Sequence, residues 1–409
     1  MNILHFRDFR LLLLSQLFIG FTQPVLFMTQ SWYISEMAPE NLSALFLGIK
    51  AALSGAVFIG YMVLAGAFVD RFPRRTVMRV SQILAFLSIA AVSVFLHLIS
   101  GSDPSIFRLV IVIILFCSFG IVFAQDQPNR VALVRDSLGA AMGSRGLSFF
   151  FLVLAIGGMG AGPTGGWLIE NLGYSTAYLF AGIGPLLAVG LTFYIRVGSA
   201  PADRGAAREG LFNNVMNGYQ VLRDLPIVRF VLFLNWTSIA IGLGVMGQLI
   251  ASWVDEKLGF GAFDWGIMIL TWTVGGVLST LVITGLGARL RRGPTLLMTV
   301  SLFGAAVLLY SLSRSNVFVF SFNLICGACF FAINALSTGI IQSVVENKVL
   351  GRVNSFVFMS QGMMQITALL LGTLATVIGL QFVYSGAGLV ILLFGIIMAL
   401  RNQTVRDFR

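Results

Sequence analysis

The chain has 409 residues, of which 57% are hydrophobic and 10% charged, with a formal net charge of +10. So little polar surface cannot enclose a water-soluble globule of this size, so the composition excludes a soluble protein and requires a polytopic membrane one. Its basic residues sit between apolar spans and form no clustered soluble face, which excludes nucleic-acid binding as the reason for the charge.

In chain order, the apolar runs read as twelve helices of roughly 20 to 30 residues, each able to cross about 30 Å of hydrocarbon. They cover 9–33, 44–69, 76–99, 105–134, 143–170, 174–197, 227–253, 261–287, 293–313, 316–345, 351–378 and 381–401. The first follows Met1–Arg10 without a small-residue cleavage site, so it reads as a retained span and not a signal peptide. With both termini cytoplasmic, inner loops and helix ends hold 22 of the 26 basic residues. The outer ones hold Arg108, Lys257 and Arg314, and Lys50 lies within a span. That asymmetry sets the orientation by the positive-inside rule.

The one long polar interval, Arg196 to Arg229, divides the chain into a bundle over 1–197, a cytoplasmic linker over 198–226 and a second bundle over 227–409. Within the linker Leu211, Phe212, Val215, Met216, Tyr219 and Leu222 recur at helical spacing, which predicts a short amphipathic helix on the inner membrane surface. At a constant offset of 207, Arg145, Ser148, Phe149, Phe151 and Gly165 match Arg352, Ser355, Phe356, Phe358 and Gly372. This pairs the fifth helix with the eleventh and supports two related halves.

Polar groups inside spans are costly and mark candidate sites. The first helix places Ser15-Gln16, Thr22-Gln23 and Thr29-Gln30 seven residues apart, one polar stripe down one face. Gln16, Gln23 and Gln30 face water or substrate, or they form a hydrogen-bonded ladder to neighbouring helices. The fourth helix carries Ser118, Gln125, Asp126, Asn129 and Arg130. Asp126 is the one acid well inside a span, a candidate for proton exchange. Arg130 lies one turn away on the same face, so the alternative is a charged structural pair. Lys50 can attract an anionic group or extend its ammonium to the interface. Asn235 and Gln248 on the seventh helix, and Asn323 and Asn334 on the tenth, complete the candidate cavity wall; Trp236 reads as an interfacial aromatic. Cys326 and Cys329 sit mid-span among small residues and read as packing, and no metal site or cofactor is expected.

Gly66-Ala67-Phe68-Val69-Asp70-Arg71-Phe72-Pro73-Arg74-Arg75 ends one apolar helix and precedes another. It resembles the loop between helices two and three of the major facilitator superfamily, with Pro73 where the family has glycine. Gly157-Gly158-Met159-Gly160-Ala161-Gly162-Pro163-Thr164-Gly165-Gly166 resembles that family's exporter-associated glycine-proline motif, with Thr164 alone between the Gly-Pro and Gly-Gly pairs instead of two residues. Phe6–Arg10, Pro128–Leu133, Leu225–Arg229 and Gly351–Ser355 are similar to the efflux branch that includes enterobactin exporters and macrolide efflux proteins.

The resemblance implies an all-α fold of two six-helix bundles, with helices one, four, seven and ten lining a central cavity. It implies a working monomer in a bacterial cytoplasmic membrane. Gly66, Asp70, Arg71, Arg74 and Arg75 would form a conformational lock on the inner side, as well as a topology anchor. Gly158, Gly162, Pro163, Gly165 and Gly166 would form a packing hinge.

No catalytic constellation is visible: the histidines are His5 and His97, and HExxH and Gly-x-Ser-x-Gly are absent. Lys50, Lys257 and Lys348 follow Ile, Glu and Asn, so no P-loop lysine follows glycine. The expectation is a secondary transporter, not an enzyme, that uses a proton or other cation gradient to export a small amphipathic molecule, a drug or siderophore, by alternating access. The alternatives are proton symport, lysophospholipid transport, or a membrane sensor with a transporter-like body.

Overall fold

The apolar runs form helices because, in lipid, a helix satisfies every backbone donor and acceptor within its own segment. The computed structural model describes residues 3–39, 41–69, 72–101, 105–197, 223, 225–286, 290–345 and 347–408. Helices α1 (Arg7–Met37), α2 (Ser43–Val69), α3 (Arg74–Leu98), α4 (Ile106–Leu138) and α5 (Ala140–Thr192) precede the linker. After it, α6 (Pro226–Thr237) widens into a π-helix (Ser238–Gln248), followed by one α-turn (Ile250–Ser252) and a second π-helix (Trp253–Leu258). The remainder is α7 (Ala262–Leu286), α8 (Arg292–Leu312), α9 (Asn316–Val344), α10 (Asn347–Ile378), α11 (Leu380–Arg401) and the short α12 (Gln403–Arg406). Among the described residues nine helices are long and apolar enough to cross a membrane, and Ser43–Phe58 and Ile106–Ser118 are shorter apolar stretches. The amphipathic linker helix expected around Leu211–Leu222 lies outside the described residues.

Large apolar side chains cover the helix exteriors. Leu98, Phe107, Val317, Val377 and Leu400 are 72–78% exposed, which is untenable in water and ordinary against lipid tails.

The chain packs as two units, and these do not follow the sequence halves. One comprises Met1–Ser43, Leu53–Ala206 and Gly259–Leu270; the other comprises Ala44–Ala52, Ala207–Leu258 and Thr271–Arg409.

In the first unit α5 is two limbs joined at Gly173, whose φ of 78° and ψ of 172° favour glycine. The first limb runs parallel to α1: Gly157 meets Leu17 and Phe21, while Gly165 meets Val25 and Met28. The second runs back, bringing Tyr178 to Gln30, Ala181 to Thr22 and Gly184 to Phe18. Glycines make this approach possible, since a Cβ on Gly157 would stand 2.5 Å from Leu17 O. In the second unit Gly379 (φ 89°) separates α10 from α11 in the same way, and α11 packs antiparallel on α8, with Gly388 against Leu308 and Gly395 against Ser301.

Candidate functional site

A hydrogen-bonding side chain in hydrocarbon needs a partner, and the first unit supplies one for most of the α1 stripe. Thr22 Oγ1 donates to Phe18 O and Ala181 O, both at 3.0 Å, Thr29 Oγ1 to Val25 O at 2.8 Å, and Gln30 Nε2 to Tyr178 Oη at 2.9 Å. Thr22 and Gln30 thus tie α1 to the second limb of α5, Thr29 is satisfied within α1, and Gln23 is half-buried. Gln16 is different: it is fully buried, and neither atom of its amide has a partner.

One residue before Gln16, Ser15 joins the most polar feature of the buried interior. Asp126 and Arg130, one turn apart on α4, form an ion pair with Arg130 Nε 2.5 Å from Asp126 Oδ2, at 2% and 0% exposure. Arg130 Nη1 donates to Ser15 Oγ at 2.6 Å. Two valences remain: Asp126 Oδ1 and Arg130 Nη2 are buried and unpartnered. Among the described residues Asp126 is the only buried acid. Asn129 is also buried, Ser118 is bonded to Ser88 (2.8 Å), and the side chain of Gln125 lies outside the described set. An apolar core of Phe9, Leu12, Leu13, Met78, Leu133, Val134, Leu138, Phe150 and Ile195 closes over the stretch of α1 before Ser15 and of α4 after Arg130. The pair therefore stands beside an apolar plug, where an unsatisfied charge is costly.

The second unit has its own unpartnered amide. Asn235, fully buried on α6 just before the helix widens, has neither amide atom bonded, and Ser337 Oγ on α9 is likewise buried without a partner. Gln248, the last residue of the π-helix, is half-buried. Asn323 Nδ2 donates to Thr271 Oγ1 (2.8 Å) and Asn334 Nδ2 to Phe330 O of its own helix (2.9 Å). Trp236 donates from Nε1 to Phe356 O (2.7 Å) and braces α6 against α10. Lys50 is buried, in the segment of α2 that packs with this unit.

Of the loop between the second and third helices, Asp70 and Arg71 lie outside the described residues, as do the surroundings of Gly66. Arg74 Nη1 lies 2.9 Å from both oxygens of Asp136 on α4, and Arg75 Nη1 donates to Ile195 O at 3.1 Å. Asp136, 62 positions from Arg74, carried no sequence signal for this pairing. Helical geometry continues through Pro163, and α5 leaves it only at Gly173. Gly162 and Gly166 meet α7, where an added Cβ would stand 2.5 Å from Gly266 O and 2.4 Å from Ala262 O; Gly158 and Gly165 have ordinary room.

Comparison with known proteins places this arrangement. The family model of the Major Facilitator Superfamily matches residues 11–369. The multidrug efflux pump Tap of Mycolicibacterium fortuitum is 23% identical over 366 residues, covering 88% of this chain and 87% of that one. Among solved structures, a peptide transporter POT superposes with a TM-score of 0.75 at 12% identity, covering 98% of this chain and 95% of the other. The nucleoside transporter NupG gives 0.72 at 12% identity, with 97% and 100% coverage. These structural likenesses carry the fold alone. With the family match spanning nearly the whole chain, the protein belongs to the Major Facilitator Superfamily, a family of multi-pass membrane transporters and not of enzymes.

Proposed function

We propose that this protein is a proton-driven exporter of a small amphipathic molecule, working by alternating access in a bacterial cytoplasmic membrane. The observation that carries this reading is the buried Asp126–Arg130 pair with one carboxylate oxygen and one guanidinium nitrogen left unpartnered. A proton taken up on Asp126 Oδ1 cancels the carboxylate charge and weakens the hold on Arg130. The guanidinium then leans on Ser15, which ties the protonation state of α4 to the position of α1. Gln16 and Asn235 each offer a buried amide with donor and acceptor unspent, which suits a hydrogen-bonding ligand without strong charge. Similarity to a multidrug efflux pump supports the outward direction and a hydrophobic drug as cargo; siderophores share the amphipathic, hydrogen-bonding chemistry.

The test is proton movement in vesicles containing purified protein, with a panel of hydrophobic drugs and siderophores, comparing wild type with Asp126→Asn. The expected result is uphill movement of a compound at the expense of a proton gradient, with only downhill exchange left in the variant. Full coupling in Asp126→Asn would make the pair structural. Cargo moving in the same direction as the proton would turn the reading to symport.

A further inference from the structure

The start of α3 carries two charges with contacts on α5: Arg75, part of the expected conformational lock, and Arg79, which has no assigned role. Arg75 and Arg79 are one turn apart and share a helix face. Each donates to a carbonyl at the end of α5, Arg75 Nη1 to Ile195 O at 3.1 Å and Arg79 Nη2 to Thr192 O at 3.0 Å. The Arg79 guanidinium lies 4.6 Å from the centre of the Phe193 ring. Those carbonyls account for one donor of each arginine. Among the described residues, both Nε groups are buried without a partner, and no hydrogen bond is made by the other terminal nitrogen of each, Arg75 Nη2 and Arg79 Nη1.

Among the described residues, Asp136 and Asp8 are engaged elsewhere. Asp136 holds Arg74, and Asp8 Oδ2 accepts from the backbone N–H of Arg196 and Val197. Among the described residues no carboxylate forms an ion pair with Arg75 or Arg79.

From this cationic end an exposed apolar track runs along α3. Val80, Leu84, Leu87, Val94 and Leu98 alternate at three, four and seven residues, one continuous stripe, and are 49–73% exposed. The second limb of α5, packed on α3 through Gly182 against Ile89 and Phe86, adds an exposed stripe of its own ending in Phe193 and Tyr194. On that stripe Gly190 is a notch, with no atom within 4 Å of where a Cβ would stand. A doubly positive site at the end of exposed apolar helix faces matches a molecule with an anionic head and acyl tails.

We propose that Arg75 and Arg79 bind the phosphate of an anionic phospholipid, with an acyl chain lying along the exposed apolar faces of α3 and the second limb of α5. The guanidinium nitrogens left over from Ile195 O and Thr192 O supply the charge-assisted bonds. Phe193 and Tyr194 lie at headgroup level, where aromatic rings are favoured.

The test is native mass spectrometry of the purified protein titrated with phosphatidylglycerol or phosphatidylcholine. Wild type is expected to retain phosphatidylglycerol in preference, and Arg75→Gln/Arg79→Gln to reduce that preference roughly tenfold or more. Arg75→Lys/Arg79→Lys, which keeps both charges, should retain most of it, and so should Arg401→Gln, which removes an exposed charge elsewhere. Equal retention of the two lipids by wild type would overturn the proposal, as would an unchanged preference in the Gln variant. Displacement of the lipid by millimolar inorganic phosphate would show a free-anion site in place of a lipid site.

Discussion

Arg130 is held by one carboxylate oxygen and one hydroxyl, so its removal and the removal of its partner have different consequences. Arg130→Ala leaves Asp126 buried without its partner, and is expected to cost about 3–5 kcal/mol, measured as a lower unfolding midpoint in detergent. Asp126→Leu combined with Arg130→Met removes both charges and should be far milder in stability while still abolishing coupling. If the double variant is as unstable as Arg130→Ala, the site is held by packing and not by charge. The Arg74–Asp136 pair makes the contrast. Its side chains are 30% and 32% exposed, so Arg74→Ala should change stability by less than about 1 kcal/mol. A loss of transport in that variant would then report on function and not on folding.

Between neighbouring helices the controlling variable is how closely the backbones approach. Gly162 and Gly166 on α5 leave no room for a Cβ against Gly266 and Ala262. Gly166→Val is therefore expected to destabilise by about 1–3 kcal/mol or more through overpacking, whereas Gly190→Ala, facing open space, should be neutral or stabilising by up to about 1 kcal/mol. Comparable melting shifts for the two would refute the contact.

At this level the sequence was legible in some respects and silent in others. Spans, loop charges and the Asp126–Arg130 pairing follow from hydropathy and a four-residue spacing, which are local properties. That Thr22 and Gln30 would be spent on Ala181 and Tyr178, while Gln16 stays unpartnered, depends on residues some 150 positions away, and no local pattern encodes it. The π-helix at Ser238–Gln248 is likewise indistinguishable from ordinary helix in the sequence, because the widened turn changes neither hydropathy nor length enough to show in the pattern.

Across the whole chain, packing exchanges short segments between the sequence halves: Ala44–Ala52 lies with α10 in one unit, and Gly259–Leu270 lies with α5 in the other. If these contacts part during each cycle, fixing one should stop transport. Phe263 N–H donates to Glu170 Oε1 at 2.8 Å, so Glu170→Cys with Phe263→Cys, joined by a short cleavable thiol cross-linker, is expected to arrest transport and recover on cleavage. Undiminished transport in the cross-linked protein would mean that the contact is static. The single-glycine reversals have a consequence of another kind. Gly173 leaves no length of chain between the two limbs of α5. With no tether between them, the limbs are expected to enter the membrane together as a hairpin, and the same is expected of α10 and α11 around Gly379.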